Sequence, residues 1–216
     1  MGTDLLTPEQ LDELRGLAGT RRLRRGVTLF CEGDRSDTVA YLLSGRVKVS
    51  YHTRTGVEVV LAVHGPGQLL GELSAIDGSP RSASVVALEP VDVVLVPAVT
   101  FRRFLTTHPD LTLRLLELLA ERLRDADRKR VEFGSHDVVG RVAARLSELT
   151  ERYGVAGDGT VDVELPLTQD ELAAWVGASR EGVSKALRVL RERGVIATGR
   201  RRIIVHDRDE LARRGG

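Results

Sequence analysis

Leu167-Thr-Gln-Asp-Glu-Leu-Ala-Ala-Trp-Val-Gly-Ala-Ser-Arg-Glu-Gly-Val-Ser-Lys-Ala-Leu-Arg-Val-Leu190 is written as two short helices and the turn between them. Thr168 and Glu171 have the spacing of a capping box, in which each side chain satisfies a backbone N–H of the other. Leu172, Ala173 and Val176 then form the inner face of a first helix. Gly177 supplies the left-handed residue that ends it and permits a sharp turn. Ser179 caps a second helix with Val183, Ala186, Leu187 and Leu190 on its apolar face, and Gly194 closes it. Two capped helices joined through a glycine turn form a helix-turn-helix, whose second helix lies in the DNA major groove.

The outward positions of that second helix fit the assignment. Arg180, Glu181, Ser184, Lys185 and Arg188 face away from the apolar side. Arginine can donate two hydrogen bonds to guanine, and glutamate can accept one from cytosine. Thr168, Gln169 and Ser179 stand at the helix starts, where hydroxyl and amide groups meet phosphates. Downstream, Thr198-Gly-Arg-Arg-Arg-Ile-Ile-Val205 reads as a basic turn and strand, with Arg200 and Arg201 placed for phosphate contact. Residues 179–202 hold eight Lys/Arg against two Glu, a local charge of +6 in a chain whose net charge is +1. The rest is therefore slightly acidic, and the basic patch implies a polyanionic partner.

Upstream, Val161–Leu165 alternates like a strand, Gly154–Gly159 reads as a loop, and Asp137–Tyr153 as an amphipathic helix capped by Asp137. A long helix is expected from His108-Pro109 to the break at Gly134-Ser135. Thr112, Leu116, Leu119, Leu123, Ala126, Arg130 and Phe133 follow alternating steps of four and three. Such a heptad stripe wants a second helix, and a parallel dimer is expected; Leu115 and Leu118 could instead pack on the chain's own barrel. Thr100 is expected to cap a short helix over 101–105. Between Val27 and Pro97, Gly33, Gly45, Gly56, Gly67 and Gly78 punctuate β-type runs at 39–43, 47–51, 57–63, 84–87 and 91–96, the spacing of an all-β sandwich or barrel. Near the start, Thr7-Pro8-Glu9-Gln10 is a capping box, with Leu6 and Leu11 placed as a hydrophobic staple. Leu11, Leu14 and Leu17 are expected to line the buried face.

Composition narrows the class. Apolar residues make up 42% and charged residues 29%, ordinary for a globular protein of one large or two modest domains. The one cysteine, Cys31, excludes a disulfide framework or a cysteine-based metal set. No signal-peptide pattern or membrane-length apolar run occurs, so a cytoplasmic location is expected. The five histidines are scattered without companion carboxylates, which argues against a metal-dependent enzyme on a cupin-like barrel.

One further pattern stands out: Gly67-Gln-Leu-Leu-Gly-Glu-Leu-Ser74, followed by Arg81-Ser-Ala-Ser-Val85. With the glycine-punctuated strands, the long helix and the Gly-Ala-Ser-Arg-Glu turn, it resembles the bacterial cyclic-AMP receptor protein / fumarate-nitrate regulator family over nearly all the chain. The resemblance implies an α+β architecture: a cyclic-nucleotide-binding β-roll of jelly-roll type (1–108), a dimerisation helix and hinge (109–135), and a winged helix-turn-helix (136–216). It implies no enzyme activity but a homodimeric transcription regulator that binds an inverted-repeat operator and meets RNA polymerase. Gly71, Glu72, Leu73, Arg81, Ser82 and Ala83 match the family's phosphate-binding cassette. By that match Arg81 would pair with the cyclic phosphate and Glu72 would accept from the ribose 2′-hydroxyl.

The chain departs from the family at the base. Relatives that respond to cyclic AMP offer a Thr-Ser pair from the long helix, where this chain has Ala126 and Asp127. Cyclic AMP and cyclic GMP both remain open as effector. So does a constitutive regulator with a vestigial pocket, in which Glu72 and Arg81 simply pair with each other. A cyclic-nucleotide-binding subunit acting on protein is the other alternative, and the helix-turn-helix argues against it.

Overall fold

The computed structural model describes residues 4–35 and 37–216, and the chain divides into two compact units that meet in sequence at Leu123/Arg124. In the first, helix α1 (Pro8–Gly16) precedes strands β1 (Gly19–Leu23), β2 (Thr28–Phe30), β3 (Thr38–Ser44), β4 (Val47–His52), β5 (Glu58–His64) and β6 (Leu69–Leu70). Helix α2 (Glu72–Asp77), strands β7 (Ser84–Ala87) and β8 (Val91–Pro97), helix α3 (Ala98–Thr107) and the start of α4 (Pro109–Ser135) complete it. All strand pairings are antiparallel, in two four-stranded sheets ordered β1-β8-β3-β6 and β2-β7-β4-β5.

Alternation along β3 shows how the layers stack. Ala40 and Leu42 point between the sheets, joining Leu23, Leu70, Val91 and Val93 of their own sheet with Phe30, Val47, Val85 and Ala87 of the other. Val39 and Tyr41 point the opposite way, where Leu14 of α1, Phe101 and Phe104 of α3, and Leu111 and Leu115 of α4 cover them. That sheet is buried on both faces, which is why β3 and β8 read as continuous apolar runs. Gly33, Gly45, Gly56 and Gly67 adopt positive φ in turns between strands, and Gly78 does so as the C-cap of α2.

Several expectations are corrected. The α1 capping box forms as read, but the helix stops at Gly16, leaving Leu17 51% exposed. Thr100 does not cap α3; β8 passes into that helix at Pro97, three residues earlier. The segment 154–159 contains a short strand, β9 (Val155–Ala156). The sequence pattern does not anticipate β1, β2, β6 and α2 in this unit, nor the strand at 196–199 and the helix at 208–215 in the other.

In the second unit, after the last turns of α4, come α5 (Val138–Tyr153), β9, β10 (Val161–Glu164), α6 (Gln169–Val176), α7 (Arg180–Glu192), β11 (Ile196–Gly199), β12 (Arg202–Val205) and α8 (Arg208–Gly215). The sheet runs β11-β12-β10-β9. Asp137 caps α5 by accepting from Gly140 N at 2.8 Å. α5 supplies the core face Val142, Ala143, Leu146 and Leu149, and packs on α6, α7 and α8.

Candidate functional site

The recognition element is assembled by local chemistry. Thr168 Oγ1 accepts from Glu171 N at 3.1 Å, and Glu171 Oε2 accepts from Thr168 N at 2.8 Å. Gly177 ends α6 at φ +61°. Ser179 Oγ then accepts from Gly182 N at 3.1 Å, starting α7. Val183, Ala186, Leu187 and Leu190 are buried. Arg180, Glu181, Ser184, Lys185 and Arg188 are exposed along the other side, with Thr168, Gln169 and Ser179 exposed at the helix starts. One continuous face of donors and acceptors is thus presented without a competing apolar surface.

The wing is a two-residue hairpin. Gly199 pairs with Arg202, so Arg200 and Arg201 form the tip. Arg202 is tied back by donating from Nε to Asp162 Oδ1 at 2.7 Å, and Arg191 of α7 donates to Thr198 Oγ1 at 3.0 Å. Arg200 and Arg201 are exposed. Arg201 has φ +56°, the one positive φ at a non-glycine among the described residues. A side chain with a Cβ costs roughly 1–2 kcal/mol in that region.

In the first unit, the residues of the predicted cassette have different partners from those expected. Arg81, 5% exposed, lies with its guanidinium carbon 3.7 Å from the Phe30 ring centroid. It donates from Nη1 to Gly71 O at 2.8 Å and from Nη2 to Thr38 O at 2.6 Å. A Cβ on Gly71 would run into that guanidinium, so glycine is required there for space as well as for its φ of +77°. Burial lowers the Arg81 pKa, while the carboxylates of Asp37, Glu72 and Asp34 oppose that shift. An arginine remains charged throughout. Arg81 borders a recess of about 310 Å³, lined also by Arg21, Phe30, Asp34, Asp37 and Thr38; Glu72 is not part of its wall.

Glu72, 3% exposed, bonds not to Arg81 but to Arg122 of α4, whose Nη1 donates to Oε1 at 2.5 Å. Arg122 Nη2 also donates to Leu69 O at 3.0 Å and Gln68 Oε1 at 3.2 Å. The simple Glu72–Arg81 pair therefore does not form. Leu73 and Ser82 are exposed and Ala83 is half-buried. Ala126 and Asp127 are exposed on the part of α4 belonging to the other unit, where Asp127 lies 4.0 Å from Arg130. Arg122 escaped the sequence reading, although a signal existed. Leu111, Leu115 and Leu118 form the stripe of α4 that packs on the roll, and 122 is its next position, where a cation implies a buried anion waiting.

Comparison with known proteins places both elements. Residues 20–108 match the family model for a cyclic nucleotide-binding domain, and residues 140–214 the model for a Crp-like helix-turn-helix domain. The chain is 37% identical over 190 residues to a CRP-like cAMP-activated global transcriptional regulator of Mycobacterium tuberculosis, covering 88% of this chain and 85% of the relative. The chain belongs to the cyclic-AMP receptor protein / fumarate-nitrate regulator family. A family member from Thermus thermophilus, named cyclic AMP receptor protein, is 34% identical over 197 residues, or 90% of this chain and 87% of that one. A crystal structure of another Thermus thermophilus transcriptional regulator of the family superposes with a TM-score of 0.75 at 26% identity, covering 91% and 98% of the two chains.

Membership makes the chain a DNA-binding transcription regulator rather than an enzyme. The expected fold class, a nucleotide-binding-type β-roll, a long helix and a winged helix-turn-helix, is the one found. No helix among the described residues is long and apolar enough to cross a membrane.

Proposed function

We propose that the chain acts as a homodimer on an inverted-repeat operator in the cytoplasm, with a 3′,5′-cyclic nucleotide in the β-roll as effector and RNA polymerase as a further partner. The observation that carries the dimer is the bare stripe on α4. Leu116 and Leu123 of the expected stripe are 58% and 65% exposed, whereas Leu119 between them packs, partly buried, against the roll together with the buried Leu111 and Leu115. A long helix with one satisfied face and one naked leucine face is half of a coiled coil. A two-fold axis along it sets the recognition helices about one DNA turn, ~34 Å, apart.

For the effector, the paired polar groups carry the reading. The Arg81 fork matches a phosphate. Arg122 engages Oε1 of Glu72, leaving Oε2 as the acceptor for a ribose hydroxyl. The names of the Mycobacterium and Thermus relatives favour cyclic AMP; cyclic GMP is the competing effector, because the Thr-Ser pair of cyclic-AMP-responsive relatives is replaced here by Ala126 and Asp127. Gly71, Leu73, Ser82 and Ala83 would frame the phosphate. A second reading, constitutive DNA binding with a silent pocket, draws on the self-satisfaction of Arg81 and Glu72, which already have partners.

Calorimetry with cyclic AMP and cyclic GMP, followed by sedimentation and by operator binding with the better ligand, tests all of this. Binding of one nucleotide with tightened operator affinity supports the effector role. Absence of binding at millimolar concentration transfers the conclusion to the constitutive reading, and a monomer at micromolar concentration refutes the dimer.

At the DNA, Arg180, Glu181, Ser184, Lys185 and Arg188 would read or flank base edges, with Thr168, Gln169, Ser179, Arg200 and Arg201 on phosphates. Replacing Arg201 separates folding from binding. Arg201→Gly removes the positive-φ cost and should stabilise the domain by about 1 kcal/mol. It should also weaken binding to all sequences alike and lower the salt slope by about one unit. An unchanged salt slope would place the wing away from the phosphates.

A further inference from the structure

Gly177, the turn residue between α6 and α7, lies against the ring of Phe133 from the last turn of α4. A Cβ at Gly177 would collide with that ring's Cε1. The guanidinium of Arg141 stands 5.4 Å from the Phe133 centroid and is itself anchored to the turn, donating from Nε to Val176 O at 2.7 Å. One helical turn earlier, Lys129 Nζ is 6.0 Å from the centroid of Trp175, the α6 residue two before Gly177. Arg145 of α5 is 5.7 Å from the same ring. The buried indole Nε1 of Trp175 has no hydrogen-bond partner, so the two cations and the packing around it, not a polar anchor, define where the ring rests. Glu132 pairs with Arg145, and Lys129 lies 3.8 Å from Glu148.

We propose that Phe133 and Lys129 are positioning residues for DNA reading: seated on Gly177 and Trp175, they set the angle at which α7 leaves the turn. The proposal rests on the DNA-reading role of α7 and adds the residues that aim it. The physical basis is the stiffness of the contact. The ring meets bare backbone directly, and the Arg141 guanidinium that stands 5.4 Å from its centroid is itself bonded to the turn. Any rotation of the last turns of α4 therefore presses on the peptide units from which α7 begins. Phe133 is 49% exposed, so its loss removes little buried surface. Its effect on the turn should exceed its effect on stability, which sets it apart from a core residue.

The test uses the full chain and a duplex that the wild-type protein itself selects from a random pool. Affinity is measured for that duplex and for a scrambled one of equal composition. Phe133→Ala should weaken binding to the selected duplex roughly tenfold, the size expected of a contact that biases a joint without touching the ligand. Binding to the scrambled duplex should stay within about twofold, because phosphate contacts tolerate misaiming. Phe133→Leu should restore most of the discrimination, and Lys129→Ala should lower it by a smaller factor. Gly177→Ala should lose less discrimination in the Phe133→Ala background than in the wild type, since the collision is gone and only the φ cost remains; such non-additivity is the mark of direct coupling. Equal losses on both duplexes with a lowered melting temperature, or an unchanged ratio, overturn the proposal. Failure of the wild-type chain to select any sequence is a different result, and it overturns the DNA-reading role on which the proposal rests.

Discussion

Arg81→Ala is expected to abolish the heat of cyclic-nucleotide binding while leaving operator binding at its ligand-free level. Three features make this the largest functional effect in the chain. Arg81 is 5% exposed, so a phosphate reaching its guanidinium meets a charge largely removed from water, where charge-assisted hydrogen bonds are strongest. Its two donors already point along one fork, at Gly71 O and Thr38 O, and the Phe30 ring beneath holds the plane. Loss of such a pair should cost about 2–3 kcal/mol, or roughly a hundredfold in affinity. The substitution also strands two carbonyls and uncovers Phe30, so circular dichroism must show the roll intact. Arg81→Lys provides the second variant: it keeps the charge but loses the fork, and an intermediate affinity is expected. Wild-type affinity in Arg81→Ala would remove the residue from the site.

Arg145→Ala should have the largest effect on stability, about 3 kcal/mol for the DNA-binding unit. The side chain is 6% exposed and pairs with Glu132 and, at 3.0 Å, with Glu148. Lys129 is near enough to Glu148 to keep that carboxylate partnered. Glu132, mostly buried, is left without its arginine, and an uncompensated charge is the costly part of a broken buried pair. Glu132→Gln in the Arg145→Ala background should therefore recover part of the loss. Urea unfolding followed by fluorescence is the measurement, because the chain's single tryptophan, Trp175, lies beside Arg145. A loss below about 1 kcal/mol would mean that the pair behaves as a solvated surface contact.

The helices read correctly from sequence share one property: their determinants lie three or four residues apart. The caps of α1, α5, α6 and α7 at Thr7, Asp137, Thr168 and Ser179 form as spaced. The exposed recognition face follows from the same helical period. Where a boundary depended on more than local spacing, the reading failed. Thr100 has good capping chemistry, yet β8 runs straight into α3 and leaves it inside the helix. β1, Gly-Thr-Arg-Arg-Leu, has four exposed residues of five and no apolar alternation. It is a strand because β8 offers it a partner, register for register from Gly19↔Leu95 to Leu23↔Val91.

By itself, then, the sequence determined that this chain carries a glycine-punctuated roll, a long helix and a helix-turn-helix, and which residues line the exposed face of α7. Those properties are set by backbone periodicity and by side chains bonding to nearby peptide groups. Only the tertiary structure decided that Glu72 answers to Arg122 rather than Arg81, fifty positions apart. It also decided that Phe133, one position in a heptad stripe on paper, seats its ring on Gly177. Such pairings depend on which surfaces the folded path brings together. A carboxylate buried in the roll must be matched by whichever cation the packing delivers, and no local pattern specifies which one.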